Sequence, residues 1–233
     1  MSERRGELEA SLARVHERIE TACADAARSS EEITLIVVTK FFPVSDVRLL
    51  ADLGVRHVGE NRHQEAVSKS EECSDLDLTW HFVGGLQSNK AAAVARYVDV
   101  LHSLDRGKLV GGLARGAEER GRELEALVQV SLDPPDASGR SGADPDAVLD
   151  LARQVEETDG LILRGVMGVA PLGGDADEAF ARLAEISGVL RREVPAASWI
   201  SAGMSGDLEQ AVARGATHLR VGSAVLGPRP TVQ

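Results

Sequence analysis

Aromatic side chains are scarce in this chain: two Trp, one Tyr and four Phe make up 3% of its 233 residues. Its core must therefore be built mostly from Ala, Val, Leu and Ile. Cysteine is nearly absent as well. Cys23 and Cys73 fall in unrelated helical contexts without metal-ligand spacing, which predicts free thiols and a reducing, cytoplasmic compartment. No run approaches the roughly 18 apolar residues that a membrane span requires. The opening stretch MSERRGELEASLARVHERIE is a charged amphipathic pattern with no apolar signal region, so no secretory leader is expected. Positive charge is in deficit: 26 Lys and Arg against 37 Asp and Glu give a net charge of -11 and a pI near 5.1. That balance disfavours non-specific nucleic-acid binding and docking on an anionic membrane. His57, His63, His102 and His218 have no ligand spacing, and no acidic partners recur at ligand intervals, so no metal site is expected.

What is present is 43% hydrophobic residues in a chain long enough for one large domain with its own core. Residues 3–28 read as one helix, with Leu8, Leu12, Val15 and Ile19 at helical spacing. Short apolar runs follow at 33–39, 55–58, 79–83, 98–101, 124–132, 161–169, 197–201 and 217–221. Helical patterns separate them at 44–53, 61–72, 87–96, 105–121, 144–158, 175–193 and 205–214. Eight strands alternating with helices predict a single (β/α)8 TIM barrel, with an N-terminal helix over residues 1–30 and the barrel over 31–230. A doubly wound open sheet is the alternative. The Pro, Gly, Ser and Asp-rich stretch 133–143 predicts a mobile loop over the C-terminal face.

In such barrels chemistry gathers at the C-terminal strand ends. The first strand, ITLIVVTKFFP, finishes on Lys40, which shares a strand face with Ile36 and Val38. Taken alone, a strand-end lysine reads as a solvated cap. Two Gly/Ser-rich strand ends change its setting. SAGMS (201–205) leaves the seventh strand, with Ser205 as the N-cap of the next helix, and RVGSAVLG (220–227) leaves the eighth. Loops in these positions commonly bind phosphate, and strand one closes against strand eight. A lysine beside a phosphate site suits either a Schiff-base aldolase or a pyridoxal phosphate protein, and composition does not separate the two.

The segments GENRHQE (59–65), WHFVGGLQSNK (80–90), GVMGV (165–169), SAGMSGDLEQAV (201–212) and RVGSAVLG carry a resemblance. Over about residues 33–227 the chain resembles the pyridoxal phosphate homeostasis protein family, whose single domain is similar to the N-terminal barrel of alanine racemase. The resemblance implies that Lys40 forms a Schiff base with pyridoxal 5'-phosphate. It implies that Ser201, Gly203, Gly222 and Ser223 surround the phosphate, that Asn61 lies near the ring, and that Arg220 faces the pyridine nitrogen. A guanidinium only donates hydrogen bonds, so that nitrogen would stay unprotonated and the ring would be a poor electron sink. The implied function is cofactor binding, buffering or delivery by a cytoplasmic monomer with no catalytic residues. Pyridoxal-phosphate-dependent apoenzymes are candidate recipients. Three positions depart from the family pattern: Phe42 stands where a second lysine is common, Arg62 where tyrosine is usual and Gly85 where proline is common.

The rival reading is a racemase-like enzyme. The chain stops six residues after Gly227, leaving no room for a second domain carrying a partner base, and its one tyrosine, Tyr97, has no position opposite Lys40 that the pattern supports. An aldolase would need an acid and a base that the sequence does not single out. Other polar residues have plain structural readings: His81 as a core histidine, Gln87 to Lys90 as a capped helix start or a wall of the cofactor mouth, and Glu60 as a helix cap or a partner of Lys40.

Overall fold

The computed structural model describes residues 3–134 and 141–229, so residues 135–140 of the expected mobile loop lie outside the described residues. Eight parallel strands form a closed barrel in sequence order: β1 (Thr34–Val38), β2 (His57–Glu60), β3 (Thr79–Phe82), β4 (Val100–Leu104), β5 (Leu124–Gln129), β6 (Leu161–Met167), β7 (Trp199–Ser201) and β8 (His218–Val221). The helices are α1 (Glu3–Asp25), α2 (Val44–Asp52), α3 (His63–Glu72), α4 (Ala91–Ala95), α5 (Val110–Arg120), α6 (Val148–Glu156), α7 (Ala176–Glu193), α8 (Leu208–Ala213) and α9 (Ser223–Leu226). The expected barrel is thus the observed one. Closure comes from β1 against β8, with Thr34 opposite His218, Ile36 opposite Arg220 and Val37 opposite Val221.

Strand alternation divides the interior into two environments. One face of each strand packs outward: Val37, Leu101, Val128, Val166, Leu219 and Val221 join Leu50, Leu113, Leu183 and Val212 of the helices in one continuous core. Each fully buried side chain of this kind contributes about 1.5–3 kcal/mol. The other face fills the barrel lumen, and it is unusually polar. His81, His102, Ser201, His218 and Arg220 are all buried. Gly59 makes room there, since a Cβ would sit 3.0 Å from Ile36 Cγ2 and 3.2 Å from Val38 Cγ2.

The expected N-terminal helix is α1, which buries Leu8, Leu12, Val15 and Ile19. Arg4 grips Asp46 at the start of α2 with a 2.6 Å bond, and Arg18 pairs with Glu209 of α8 at 2.7 Å. Element ends differ from the sequence expectation where side chains take over from periodicity. β4 begins at Val100; just before it, the Asp99 carboxylate accepts the Trp80 N–H (2.7 Å) and pairs with Arg120 and Arg122. The helix expected over 87–96 splits into a 3-10 turn (Ser88–Lys90) and the short α4. Ser205 does not cap α8. That helix starts after Asp207, whose Oδ1 accepts the Met204 N–H at 2.6 Å.

β6 carries one extra residue against β5, so the register shifts between Ala126 and Leu127. Gly165 takes up the irregularity at φ +152°, and a Cβ there would lie 1.9 Å from the Trp199 carbonyl oxygen. Gly165→Ala would combine a strained backbone with a clash against the β7 main chain. We expect a loss of at least about 2 kcal/mol, read as a lower urea midpoint. A midpoint unchanged from the parent would show that β7 yields freely at this position.

Candidate functional site

A cavity of about 360 Å3 opens at the C-terminal mouth of the barrel. β1 and the turn after it supply Val38, Lys40, Phe41 and Phe42, and the end of β2 supplies Asn61. The loop after β7 supplies Met204, Ser205 and Gly206. β8 and α9 supply Arg220, Gly222 and Ser223, with Arg229 beyond them. Five of the seven residues singled out in the sequence therefore meet in one cavity: Lys40, Asn61, Arg220, Gly222 and Ser223.

Lys40 sits on a turn held from both sides. The Thr39 carbonyl accepts the Lys69 ammonium at 2.8 Å, and the Phe41 N–H donates to Glu65 Oε2 at 3.0 Å. Phe41 adopts φ +70°, uncommon for a bulky residue. The Lys69 ammonium also bonds Glu60 Oε1 at 2.6 Å, and the Thr39 hydroxyl donates to the same oxygen at 2.6 Å. Glu60 is therefore neither a helix cap nor a direct partner of Lys40. It is the counter-ion of a second, buried lysine. Burial pushes the Glu60 carboxyl upward, and the Lys69 charge and hydrogen bonds oppose that push.

The Lys40 amine has no carboxylate partner among the described residues. Burial lowers its pKa first, and the Arg229 and Arg62 charges lower it further, against a raising contribution from Glu60. Those two guanidinium groups flank the Phe41 ring, at 4.9 Å and 4.5 Å from its centroid. A desolvated lysine beside two cations holds more of its population as the neutral, nucleophilic amine than a surface lysine does.

Arg220 is buried in the cavity floor. It donates to Ser201 Oγ at 2.6 Å and to the Gly168 carbonyl at 2.9 Å, and burial brings its pKa down to about 10, so it remains a cation at neutral pH. Ser201 and Gly203 are not cavity residues. The Ser201 hydroxyl is fully buried behind Arg220 and also meets His102 Nδ1 at 2.8 Å. Gly203 (φ +84°) is a packing glycine whose carbonyl accepts the Arg220 N–H at 2.9 Å. The serine that faces the cavity from this loop is Ser205, whose Oγ meets Ser223 Oγ and the Ala224 N–H, both at 3.2 Å. The motif SAGMS had marked the loop, but which of its serines faces in was set by the turn at Gly203. Asn61 is held by close approach of Gly84, where a Cβ would lie 2.2 Å from the Asn61 carbonyl oxygen. Its Oδ1 is buried and has no hydrogen-bond partner. Phe42 is a core residue packed under Arg4. His81 is a lumen residue, and Tyr97 bonds His63 Nδ1 at 3.2 Å. Ser88 and Asn89 belong to the 3-10 turn and do not line the cavity.

The family model for the alanine racemase N-terminal domain matches residues 12–230. A pyridoxal phosphate homeostasis protein of Mycobacterium tuberculosis is 43% identical, over 97% of this chain and 95% of the relative. The chain belongs to the pyridoxal phosphate homeostasis protein family. The solved structure of PipY from Synechococcus elongatus, with PLP bound, superposes with a TM-score of 0.82 at 35% identity, covering 94% of this chain and all of that one. An alanine racemase of Clostridium difficile in complex with cycloserine matches with a TM-score of 0.71 at 14% identity, over 97% of this chain and 60% of that one; this likeness is one of fold alone.

In this member of the homeostasis family the Lys40 amine should titrate below the usual lysine value of about 10.4. Competitive labelling with an amine-reactive anhydride across pH reads that midpoint directly. Removing both positive neighbours, Arg62→Ala with Arg229→Ala, relieves repulsion of the ammonium and should move the midpoint up. The neutral fraction at pH 8 then falls. Should Lys40 titrate at or above that usual value in the parent protein, the electrostatic account of the site is wrong.

Proposed function

We propose that this chain binds pyridoxal 5'-phosphate at the barrel mouth, covalently through Lys40, and buffers or hands over the cofactor without substantial turnover. The observation that carries the reading is the meeting, in one cavity, of an unpaired and depressed lysine amine, a buried arginine and the serine and glycine loops after β7 and β8. The family assignment supports it, as does PipY, a relative solved with PLP bound.

The residues present fit such a group. Asn61 Oδ1 is a buried acceptor awaiting a donor. At Gly206 a Cβ would meet nothing within 4 Å, so its main chain is open to a ligand, whereas at Gly222 a side chain would press to 3.3 Å from the Val38 carbonyl. Ser205, Gly206, Gly222 and Ser223 would hold the phosphate, Arg220 would donate to the pyridine nitrogen, and Asn61 would lie beside the ring. Ser201 and Gly203 would act from behind, through Arg220 and the fold of the loop. The cofactor, when bound, supplies an aldehyde that condenses with an amine and a ring that withdraws electrons best when its nitrogen is protonated. Lys40 provides the amine in a nucleophilic state. Arg220 has only donors to offer, so it gives the ring nitrogen no proton and holds the ring in its weakly withdrawing form.

The barrel, residues 31–230, would be a single cofactor-binding unit, with residues 1–30 as a helix on its outside. Among the described residues no helix is long and apolar enough to cross a membrane, and both cysteines are free and buried. These features support a cytoplasmic setting, where pyridoxal-phosphate-dependent apoenzymes would receive the cofactor from the monomeric chain. The racemase-like alternative has no observation of its own beyond the shared fold.

Borohydride reduction followed by peptide mapping tests the attachment. The label should fall on Lys40 and vanish in Lys40→Ala, which should still fold. A label on Lys90 or Lys108 would misplace the site. Ser205→Ala with Ser223→Ala should weaken binding at least roughly tenfold, since a hydrogen bond to a charged group is worth about 1.5–3 kcal/mol. Pyridoxal lacking the phosphate should bind poorly to the parent for the same reason, and equal affinity for the two would sink the phosphate assignment.

The absence of turnover is tested by α-proton exchange of L- and D-amino acids in deuterium oxide. Rates should stay near those of free cofactor. Exchange at about 1 s⁻¹ or faster with any one amino acid would restore the enzyme reading.

A further inference from the structure

A row of hydrogen-bonded side chains crosses the barrel lumen beneath the candidate site. His57 Nδ1 lies 3.0 Å from His81 Nε2, His81 Nδ1 lies 2.8 Å from His102 Nε2, and His102 Nδ1 lies 2.8 Å from Ser201 Oγ. Ser201 Oγ in turn receives Arg220 at 2.6 Å. The far end, His57, lines a groove on the N-terminal face of the barrel together with His16, Glu9, Glu20 and Arg56. The row therefore runs from one face of the barrel to the arginine of the other.

Its hydrogen atoms have two possible arrangements, and donor accounting separates them. Arg220 only donates, so one lone pair of Ser201 Oγ is committed to it. In the first arrangement the Ser201 hydroxyl donates to His102 Nδ1, His102 Nε2–H to His81 Nδ1, and His81 Nε2–H to His57 Nδ1. The last donor, His57 Nε2–H, reaches the groove. Every buried donor is then satisfied. In the reverse arrangement all three rings carry the hydrogen on Nδ1, Ser201 Oγ accepts from both neighbours, and its own hydroxyl hydrogen is left without an acceptor at a fully buried position. Leaving a buried donor unpaired is the costlier state. Burial also holds His81 and His102 well below the ordinary histidine range, so each has a single ring hydrogen at neutral pH.

We infer that His57, His81 and His102 are positioning residues that lock one direction of hydrogen bonding across the barrel, keep a Ser201 lone pair aimed at Arg220, and transmit a change at either end to the other. Its bearing on the cofactor rests on the reading that Arg220 faces the pyridine nitrogen. In the locked direction every ring turns its N–H toward the N-terminal face. The row therefore turns no N–H toward the Arg220 end.

The test is a long-range proton–nitrogen correlation spectrum of the unloaded chain with ¹⁵N-labelled histidine, which distinguishes Nδ1–H from Nε2–H rings. All three rings are expected in the Nε2–H form, by roughly tenfold or more over the other. Ser201→Asp places an acceptor-only carboxylate beside Arg220, so His102 Nδ1 must become a donor. The reversal should then appear not only at His102 but at His81 and His57. Ser201→Thr, which keeps the hydroxyl, should preserve the parent pattern. Should Ser201→Asp not fold, His81→Phe cuts the row at its centre, and His57 should lose its fixed form. Any of the three parent rings in the Nδ1–H form, or a His57 indifferent to both substitutions, would overturn the inference. The measurement needs no cofactor, so its failure would leave the binding proposal standing, and failure of cofactor binding would leave the row intact.

Discussion

Everything at the barrel mouth depends on the closure of β1 against β8. Pairing Ile36 with Arg220 and Val37 with Val221 brings residues 184 positions apart into adjacent strands. It sets Lys40, at the exit of β1, beside Gly222 and Ser223 at the exit of β8. A slip of one residue in this register would turn Arg220 outward into the apolar layer and Leu219 into the lumen, because side-chain direction alternates with period two. The outer core enforces the register. Val37, Leu219 and Val221 are all fully buried against the helices, so the slipped arrangement would bury a guanidinium among aliphatic side chains.

Lys69, Arg220 and Lys40, at or beneath this mouth, are each accommodated differently. Lys69 is buried as the ion-pair partner of Glu60, and its other hydrogen bond, to the Thr39 carbonyl, ties the pair to the turn that carries Lys40. Arg220 is buried with neutral acceptors only, a serine hydroxyl and a main-chain carbonyl, which leaves it poised to donate further. Lys40 is half-buried with no anionic partner among the described residues and gives up part of its affinity for a proton. The same loss that would be a defect in a structural lysine is what an amine needs in order to attack a carbonyl. The buried Lys69–Glu60 pair fixes the backbone next to that amine through the Thr39 carbonyl.

The lumen shows a related division. Barrels of this kind are usually packed inside with branched aliphatic side chains. Here a cluster of Val100, Leu127 and Met167 fills part of that space, while histidines from β2, β3 and β4 fill another. Polar residues so deep are tolerable because each ring offers one donor and one acceptor to its neighbours, so the row satisfies itself. Its one unavoidable loose end is placed at the groove-lining His57 rather than at the buried Ser201.

Fold class, the N-terminal helix, all eight strands and the strand-end residues Lys40, Gly222 and Ser223 were legible from the chain alone, whereas Asn61 and Arg220 were marked only by the family resemblance. Strand alternation, helical spacing and Gly/Ser turns are local, written within a few residues, and strand order in a barrel follows chain order. What the chain alone did not determine was which side chains meet across the ring. Ser201 and Ser205 are equivalent in the sequence, but the backbone turn at Gly203 sends one behind Arg220 and the other into the cavity. Glu60 and Lys69 carry no signal that they pair. His57, His81 and His102 are scattered singly, 24 and 21 residues apart, and only the stagger of three parallel strands brings their ring nitrogens to hydrogen-bonding distance. Backbone propensity is a property of neighbours in the chain, whereas the partner of a buried polar group is chosen by register between distant strands, and that choice exists only once the barrel has closed.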